Sequence, residues 1–219
     1  MSKRKLGLLH TSATLVPIFE QLCKAKLPGV SVFNIVDDSL IKDVIVHGQL
    51  RPQTARRVIQ HITSAEDAGA DYILVTCSSI GAAVETAAGL TSVPLLRVDQ
   101  PMADHAIATA HRIGVIATLP TTLQPTADLL RRRAAAAGKN IDLSTRLCDG
   151  AFDALMSGDA ETHDVLVGNA LRELSTEVDV IVLAQASMAR VVAGLPEADR
   201  RVPILASPPL AIDYLATVL

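Results

Sequence analysis

The sequence predicts an α/β fold of two similar halves, each a three-layer αβα unit built on a parallel sheet. Three observations predict it. Short β-branched or leucine-rich runs alternate with longer helical patterns along all 219 residues. The strand runs are continuously apolar rather than alternating, the pattern of a sheet covered on both faces. Finally, DYILVTCSSI at 71–80 returns as DVIVLAQASM at 179–188, 108 residues later. Val93-Pro94 returns at Val202-Pro203, Pro101 at Pro209 and Gly7 at Gly114, with spacings of 107 to 109. A spacing this constant across separated landmarks marks a duplicated unit.

Taken in order, strands are predicted at 5–9 (KLGLL), 30–36 (VSVFNIV), 72–76 (YILVT), 95–98 (LLRV), 112–117 (RIGVIA), 141–147 (IDLSTRL), 179–183 (DVIVL) and 203–206 (PILA). Helical patterns fall between them, near 14–25, 53–68, 80–88, 101–110, 121–137, 159–176, 187–193 and 208–218. No Gly/Ser linker or low-complexity tract interrupts the chain, so the division between halves lies in a compact crossover. The first half is expected to take 1–98 plus 207–219, and the second 99–206.

Composition narrows the partners. At 49% apolar the chain can bury a sizeable core. A net charge of −3 and a pI near 6.0 supply no broad basic field for nucleic acid. Aromatics at 2%, with no Trp, argue against base stacking. Arg131-Arg132-Arg133 reads as a solvated helix face. The basic start, MSKRKLGLLHTS, has too short an apolar run for a signal peptide, and no later stretch approaches a membrane span. Three cysteines without paired spacing make neither a disulfide framework nor a zinc site. The expected setting is a reducing cytoplasm, with no membrane and no metal. No glycine-rich phosphate loop is present, so no nucleotide cofactor is expected.

In parallel α/β folds ligands bind beyond the carboxyl ends of the strands. Cys77 stands at such an end and Gln185 at the equivalent end of the other half, which predicts that a pseudo-twofold brings them to opposite sides of one cleft. Ser78, Ser79 and Ser187 would lie at helix N-termini, where unpaired N–H groups and partial positive charge suit carboxylates. The same reasoning covers Thr118, Thr121 and Thr122 in ATLPTT, and His10 and Thr11 in LLHTSA. That field is expected to lower the Cys77 thiol pKa and supply a thiolate.

The duplicated halves, the Thr-Cys-Ser-Ser after one strand and the mirrored Ala-Gln-Ala-Ser-Met resemble the aspartate/glutamate/hydantoin racemase superfamily. The resemblance spans essentially the whole chain, including both Val-Pro strands and the VDDSL turn at 36–40. It implies cofactor-independent chemistry at a carbon next to a carboxylate or carbonyl of a small amino acid, hydantoin or dicarboxylate. Members usually place one cysteine on each face of that carbon, one removing the proton and the other delivering one. Position 77 keeps its cysteine, whereas the matching second position is Gln185, which exchanges no proton at ordinary pH. Maleate cis–trans isomerases of the superfamily keep both cysteines, the first adding to substrate; its decarboxylases keep only the second. The resemblance therefore leaves racemisation, isomerisation, decarboxylation and a non-catalytic carboxylate-binding or sensing descendant as alternatives. A homodimer or higher homo-oligomer is also left open.

The residues expected to carry the chemistry are Cys77, Gln185 and His10. Substrate contacts are expected from Thr11, Asp38, Thr76, Ser78, Ser79, Thr118, Thr121, Thr122, Ala186 and Ser187. Of Asp37 and Asp38, one is explained as a helix N-cap. Asp99 is divided between capping and supporting the site, Cys148 between the core and a displaced second thiol. Cys23 reads as core. His47, His61, His105, His111 and His163 lack paired ligand spacing and read as structural.

Overall fold

Side chains alternate along a strand, so in β1 (Lys5–His10) Leu6 and Leu8 face one way and Gly7 and Leu9 the other. Both faces are covered in the computed structural model, which describes residues 3–219. Leu6 and Leu8 pack with Leu74 and Leu96 against Phe19 and Cys23 of α1 (Val16–Lys26) and against Ile212 and Leu215 of the C-terminal helix α10 (Ser207–Val218). Leu9, Ile73 and Val75 pack against α2 (Asp38–His47), α3 (Pro52–Asp67) and α4 (Gly81–Ala87). This is why the strands read as unbroken apolar runs. With β2 (Ser31–Val36), β3 (Tyr72–Val75) and β4 (Leu95–Arg97) they form a parallel sheet in the order β2-β1-β3-β4.

The second half repeats the plan. β5 (Arg112–Ala117), β6 (Asp142–Leu147), β7 (Val180–Leu183) and β8 (Ile204–Ala206) form a parallel sheet in the order β6-β5-β7-β8. Ile116, Ile181 and Leu183 pack with Ala151 of α7 (Ala151–Met156), Val167, Leu171 and Leu174 of α8 (Ala160–Leu174) and Val191 of α9 (Ala189–Gly194). The remaining helices are α5 (Gln100–Thr109) and α6 (Pro120–Ala136). Contacts divide the chain into two compact units, one ending at Gln100 and regaining Pro208–Leu219, the other Pro101–Ser207. Among the described residues no helix is long and apolar enough to cross a membrane.

The duplication extends to single hydrogen bonds. The Lys5 N–H donates to Asp71 at 2.7 Å and the Arg112 N–H to Asp179 at 2.8 Å. Ile73 N–H reaches the Pro94 carbonyl at 3.0 Å, and Ile181 N–H the Pro203 carbonyl at 2.9 Å. Gly7 and Gly114 sit where a helix presses on the central strand. A Cβ on Gly7 would stand 3.0 Å from the Phe33 ring, and one on Gly114 would stand 2.7 Å from Leu174.

All eight expected strands form. Two helices were not expected, and they are counterparts: α2 and α7, each inserted between the second strand of its unit and the long helix. α2 buries only Leu40 and Val44, one turn apart, in a segment rich in β-branched residues. α7 has six residues and buries only Ala151, too short for a periodic signal.

Candidate active site

In the first unit the carboxyl ends of β1 and β3 lie side by side, and the side chains that follow them interlock. The Thr76 N–H donates to the Leu9 carbonyl at 3.0 Å. The Thr76 hydroxyl sits between two acceptors, the same carbonyl at 3.1 Å and His10 Nδ1 at 2.9 Å, and shares its proton between them. His10 Nε2 meets the Asn34 amide oxygen at 3.0 Å, which fits the neutral Nε2–H tautomer. The ring is fully buried and stacks at a tilt on Phe19, 5.6 Å between centroids. Burial lowers its pKa, against smaller raising effects from Asn34 and Glu20. Both ring nitrogens are thus engaged inside the unit. The arrangement is that of a ring holding Thr76, the residue before Cys77, rather than one offering a proton outward.

Cys77 follows in extended conformation and opens a 3-10 turn, Ser78–Ile80, that runs into α4. The thiol makes no regular capping hydrogen bond to that turn. Its sulfur is nonetheless surrounded by groups that favour the thiolate: the Thr11 hydroxyl, the N–H groups of Ser79 and Ile80, and the Ser79 hydroxyl. Burial outweighs them and pushes the Cys77 thiol above its ordinary value. This corrects the expectation of a lowered pKa. The helix behind the turn has seven residues and contributes little field, while the sulfur packs beside the buried cluster of β3, α3 and α4.

The second unit builds the same frame and ends it differently. Thr118 stands where Thr11 does, and Gln185 where Cys77 does. The Thr118 N–H and hydroxyl both donate to Gln185 Oε1, at 2.6 and 3.0 Å. With its oxygen held, Gln185 has only its amide N–H groups left to offer, and these donate without titrating. Ala186 and Ser187 lie in the 3-10 turn after it, Ala186–Met188. α6 starts beside Thr118: Leu119 is its N-cap, without a side-chain capping bond, and Pro120 is its first residue. Thr121 Oγ1 is buried with no hydrogen-bond partner among the described residues, and Thr122 is buried.

The structure thus gathers His10, Thr11, Thr76, Cys77, Ser78 and Ser79 in one unit, and Thr118, Thr121, Thr122, Gln185, Ala186 and Ser187 in the other. Asp38 stands apart, exposed in the first turn of α2 and paired with Lys42. The capping residue is Asp37, which accepts the Ser39 N–H at 3.1 Å and meets Arg57 and His61 at 2.6 and 2.8 Å. Although burial raises it, those bonds hold the Asp37 carboxyl below its ordinary value. Cys148 occupies the position after β6 that Asp37 occupies after β2, each donating its N–H to the neighbouring central strand. Its thiol is buried in the core of its unit and pushed up to about 11 by that burial. Cys23 is likewise core, at about 11.

Two features escaped the sequence reading. Asn34 had no signal beyond a polar residue inside an apolar strand. Arg97 carried the same signal more strongly, a charge between Leu96 and Val98 with a carboxylate two residues on. Among the described residues no group of three His, Cys, Asp or Glu side chains is gathered for a metal.

The fold is shared with known racemases. Glutamate racemase from Bacillus anthracis superposes with a TM-score of 0.73 at 19% identity, covering 100% of this chain and 82% of that one. Aspartate racemase from Picrophilus torridus gives 0.72 at 14% identity, with 98% and 94% covered. Allantoin racemase from Klebsiella pneumoniae gives 0.68 at 17% identity, with 98% and 87% covered. No curated protein matches in sequence. The sequence profile described as Asp/Glu/Hydantoin racemase matches residues 6–215, nearly the whole chain. The chain belongs to the Asp/Glu/hydantoin racemase family.

Proposed function

We propose that the protein is a cofactor-independent, racemase-type isomerase acting next to the carboxylate of a small amino acid, hydantoin or dicarboxylate, with Cys77 as its thiolate. One observation carries this reading. Of three cysteines, only Cys77 stands at a strand's carboxyl end amid hydroxyl and N–H groups that favour the thiolate. The thiolate takes the α-proton: the C–H bond breaks, an S–H bond forms, and the electron pair spreads onto the adjacent carboxylate or carbonyl. Hydrogen-bond donors stabilise that developing charge. Return of the proton from the same thiol exchanges it without inverting the centre. Inversion needs a second proton donor, and the residue that corresponds to Cys77 in the second unit, Gln185, does not titrate.

Because burial raises the thiol pKa, the active thiolate fraction falls about tenfold per pH unit below that pKa. Activity is therefore expected to climb with pH beyond the ordinary cysteine range. A second reading, a carboxylate-binding protein without turnover, is favoured by the same raised pKa and by Gln185. The test is incubation with amino acids, hydantoins and dicarboxylates in deuterated water, followed by proton NMR of the α-signal. The α-signal should disappear with wild type and persist with Cys77→Ala. Exchange that survives Cys77→Ala removes this residue from the mechanism; saturable binding without any exchange selects the second reading.

A further inference from the structure

Beneath the Cys77 turn lies a charged cluster that the second unit lacks. Arg97, in β4, is 4% exposed, and Asp99 is fully buried. The guanidinium meets the Asp99 carboxylate through two parallel bonds, Nε to Oδ1 at 3.0 Å and Nη2 to Oδ2 at 2.8 Å. Its Nη1 bonds Glu85 on α4. Burial opposes the charge, but Asp99 and Glu85 keep the guanidinium protonated. The group lies flat against Gly81, so close that a Cβ there would fall 2.2 Å from its central carbon. Gly81 is the first residue of α4 and directly follows Ile80, whose N–H faces the Cys77 sulfur.

The duplication provides the control. At the matching positions the second unit has Ala189 for Gly81, Ala193 for Glu85 and Ala206 for Arg97, and the residues after Ala206, Ser207, Pro208 and Pro209, include no carboxylate to match Asp99. Arg97 and Ala206 are fixed as counterparts by register, since Arg97 pairs with Val75 and Ala206 with Leu183. The same strand–turn–helix frame thus forms without any of the four charged or glycine residues. They are dispensable for the frame and present only under the thiol. A buried ion pair is by itself poor evidence for stability.

We propose that Arg97, held by Asp99 and Glu85, is a positioning residue for Cys77, fixing the Ser78–Gly81 turn so that its N–H groups face the thiolate. This rests on the reading of Cys77 as the working thiolate and extends it to the residues that hold it. Arg97 touches no substrate in this role. It acts through Gly81 and Glu85 on the backbone of the turn.

The test is the pH profile of Cys77 alkylation by iodoacetamide, resolved by peptide mass spectrometry on the full chain. The variants are Glu85→Gln, Arg97→Lys, and the fourfold replacement Gly81→Ala, Glu85→Ala, Arg97→Ala and Asp99→Ser. The fourfold variant should shift the midpoint upward by about one pH unit, roughly tenfold slower alkylation at any pH below it. Glu85→Gln should shift it less. The Glu85 side chain is 42% exposed, so that variant keeps its fold even if the fourfold one does not. A loosened turn that merely admits reagent changes the plateau rate and leaves the midpoint in place. An unchanged or lowered midpoint in every folded variant overturns the proposal. No substrate is needed, so this outcome is separable from failure of α-proton exchange.

Discussion

The carboxyl ends of β1 and β3 and those of β5 and β7 are built on one backbone plan and finished for different chemistry. In both units a threonine following the central strand donates its hydroxyl to the residue following the third strand. In the first unit that residue is Cys77, in the second Gln185. One donor therefore favours the ionised state of a group that titrates, and the other locks the orientation of a group that does not. Around the thiol the first unit adds His10, Asn34 and the Arg97–Asp99–Glu85 cluster. Around the amide the second unit has Ala117 for His10 and alanines beneath the turn. These polar residues gather in the half that carries the titratable thiol. The contrast teaches that duplication fixes the frame, while the chemistry resides in a few substitutions at strand ends.

The largest expected effect of breaking this contrast is on stability. Arg97→Met leaves Asp99 buried without its partner and should cost about 3–5 kcal/mol in chemical denaturation. The fourfold replacement Gly81→Ala, Glu85→Ala, Arg97→Ala and Asp99→Ser, uncharged like the second unit, should cost clearly less, because no charge is then stranded. If the single and fourfold variants lose the same stability, the cluster is a stabilising element and not a device added to a self-sufficient frame.

A smaller effect separates the two central-strand glycines. Gly114→Ala drives a Cβ to 2.7 Å from the buried Leu174 and 3.2 Å from Val178, an overpacking expected to cost about 1–3 kcal/mol. Gly7→Ala approaches Phe33 at 3.0 Å, and that ring is only partly buried and can shift. Melting temperatures should therefore fall further for the second-unit variant. The reverse order would mean that the first unit is the more tightly packed.

The smallest effect sharpens the chemical difference. Thr11→Val removes a hydroxyl that favours the Cys77 thiolate and should raise the midpoint of its alkylation profile by some tenths of a pH unit. Thr118→Val should leave that midpoint unchanged, since its partner is the Gln185 oxygen. In wild type, Cys77 should be labelled more slowly at pH 7 than an unburied free thiol. Labelling faster than that control would contradict the pKa direction.

Much of this was legible in the sequence because apolar runs and repeat spacing depend on burial, which composition records directly. The eight strands follow from the apolar runs, and the duplication and the Cys77–Gln185 correspondence from DYILVTCSSI and its echo. The direction of the Cys77 pKa was not legible: it depends on how deeply the sulfur packs against α3 and α4, and a helix terminus in sequence does not reveal that its helix has only seven residues. The identity of the capping aspartate also needed coordinates, since Asp37 and Asp38 are chemically equal and differ only in which one meets Ser39, Arg57 and His61. Arg97 was overlooked because a charge in a short strand does not announce its partners. Its carboxylates lie 2 residues ahead and 12 behind, on different elements.

The central claim is that only one half of this duplicated chain transfers a proton. The most direct measurement follows α-proton exchange and inversion in the same sample, by proton NMR and chiral chromatography in deuterated water, for wild type and Gln185→Cys. Wild type should exchange the α-proton faster than it inverts the centre, because removal and return both occur at Cys77. Gln185→Cys should bring inversion up toward the exchange rate by supplying a second thiol. Wild-type protein in which every exchange event is an inversion would contradict the account, since it would require a second proton donor besides Cys77.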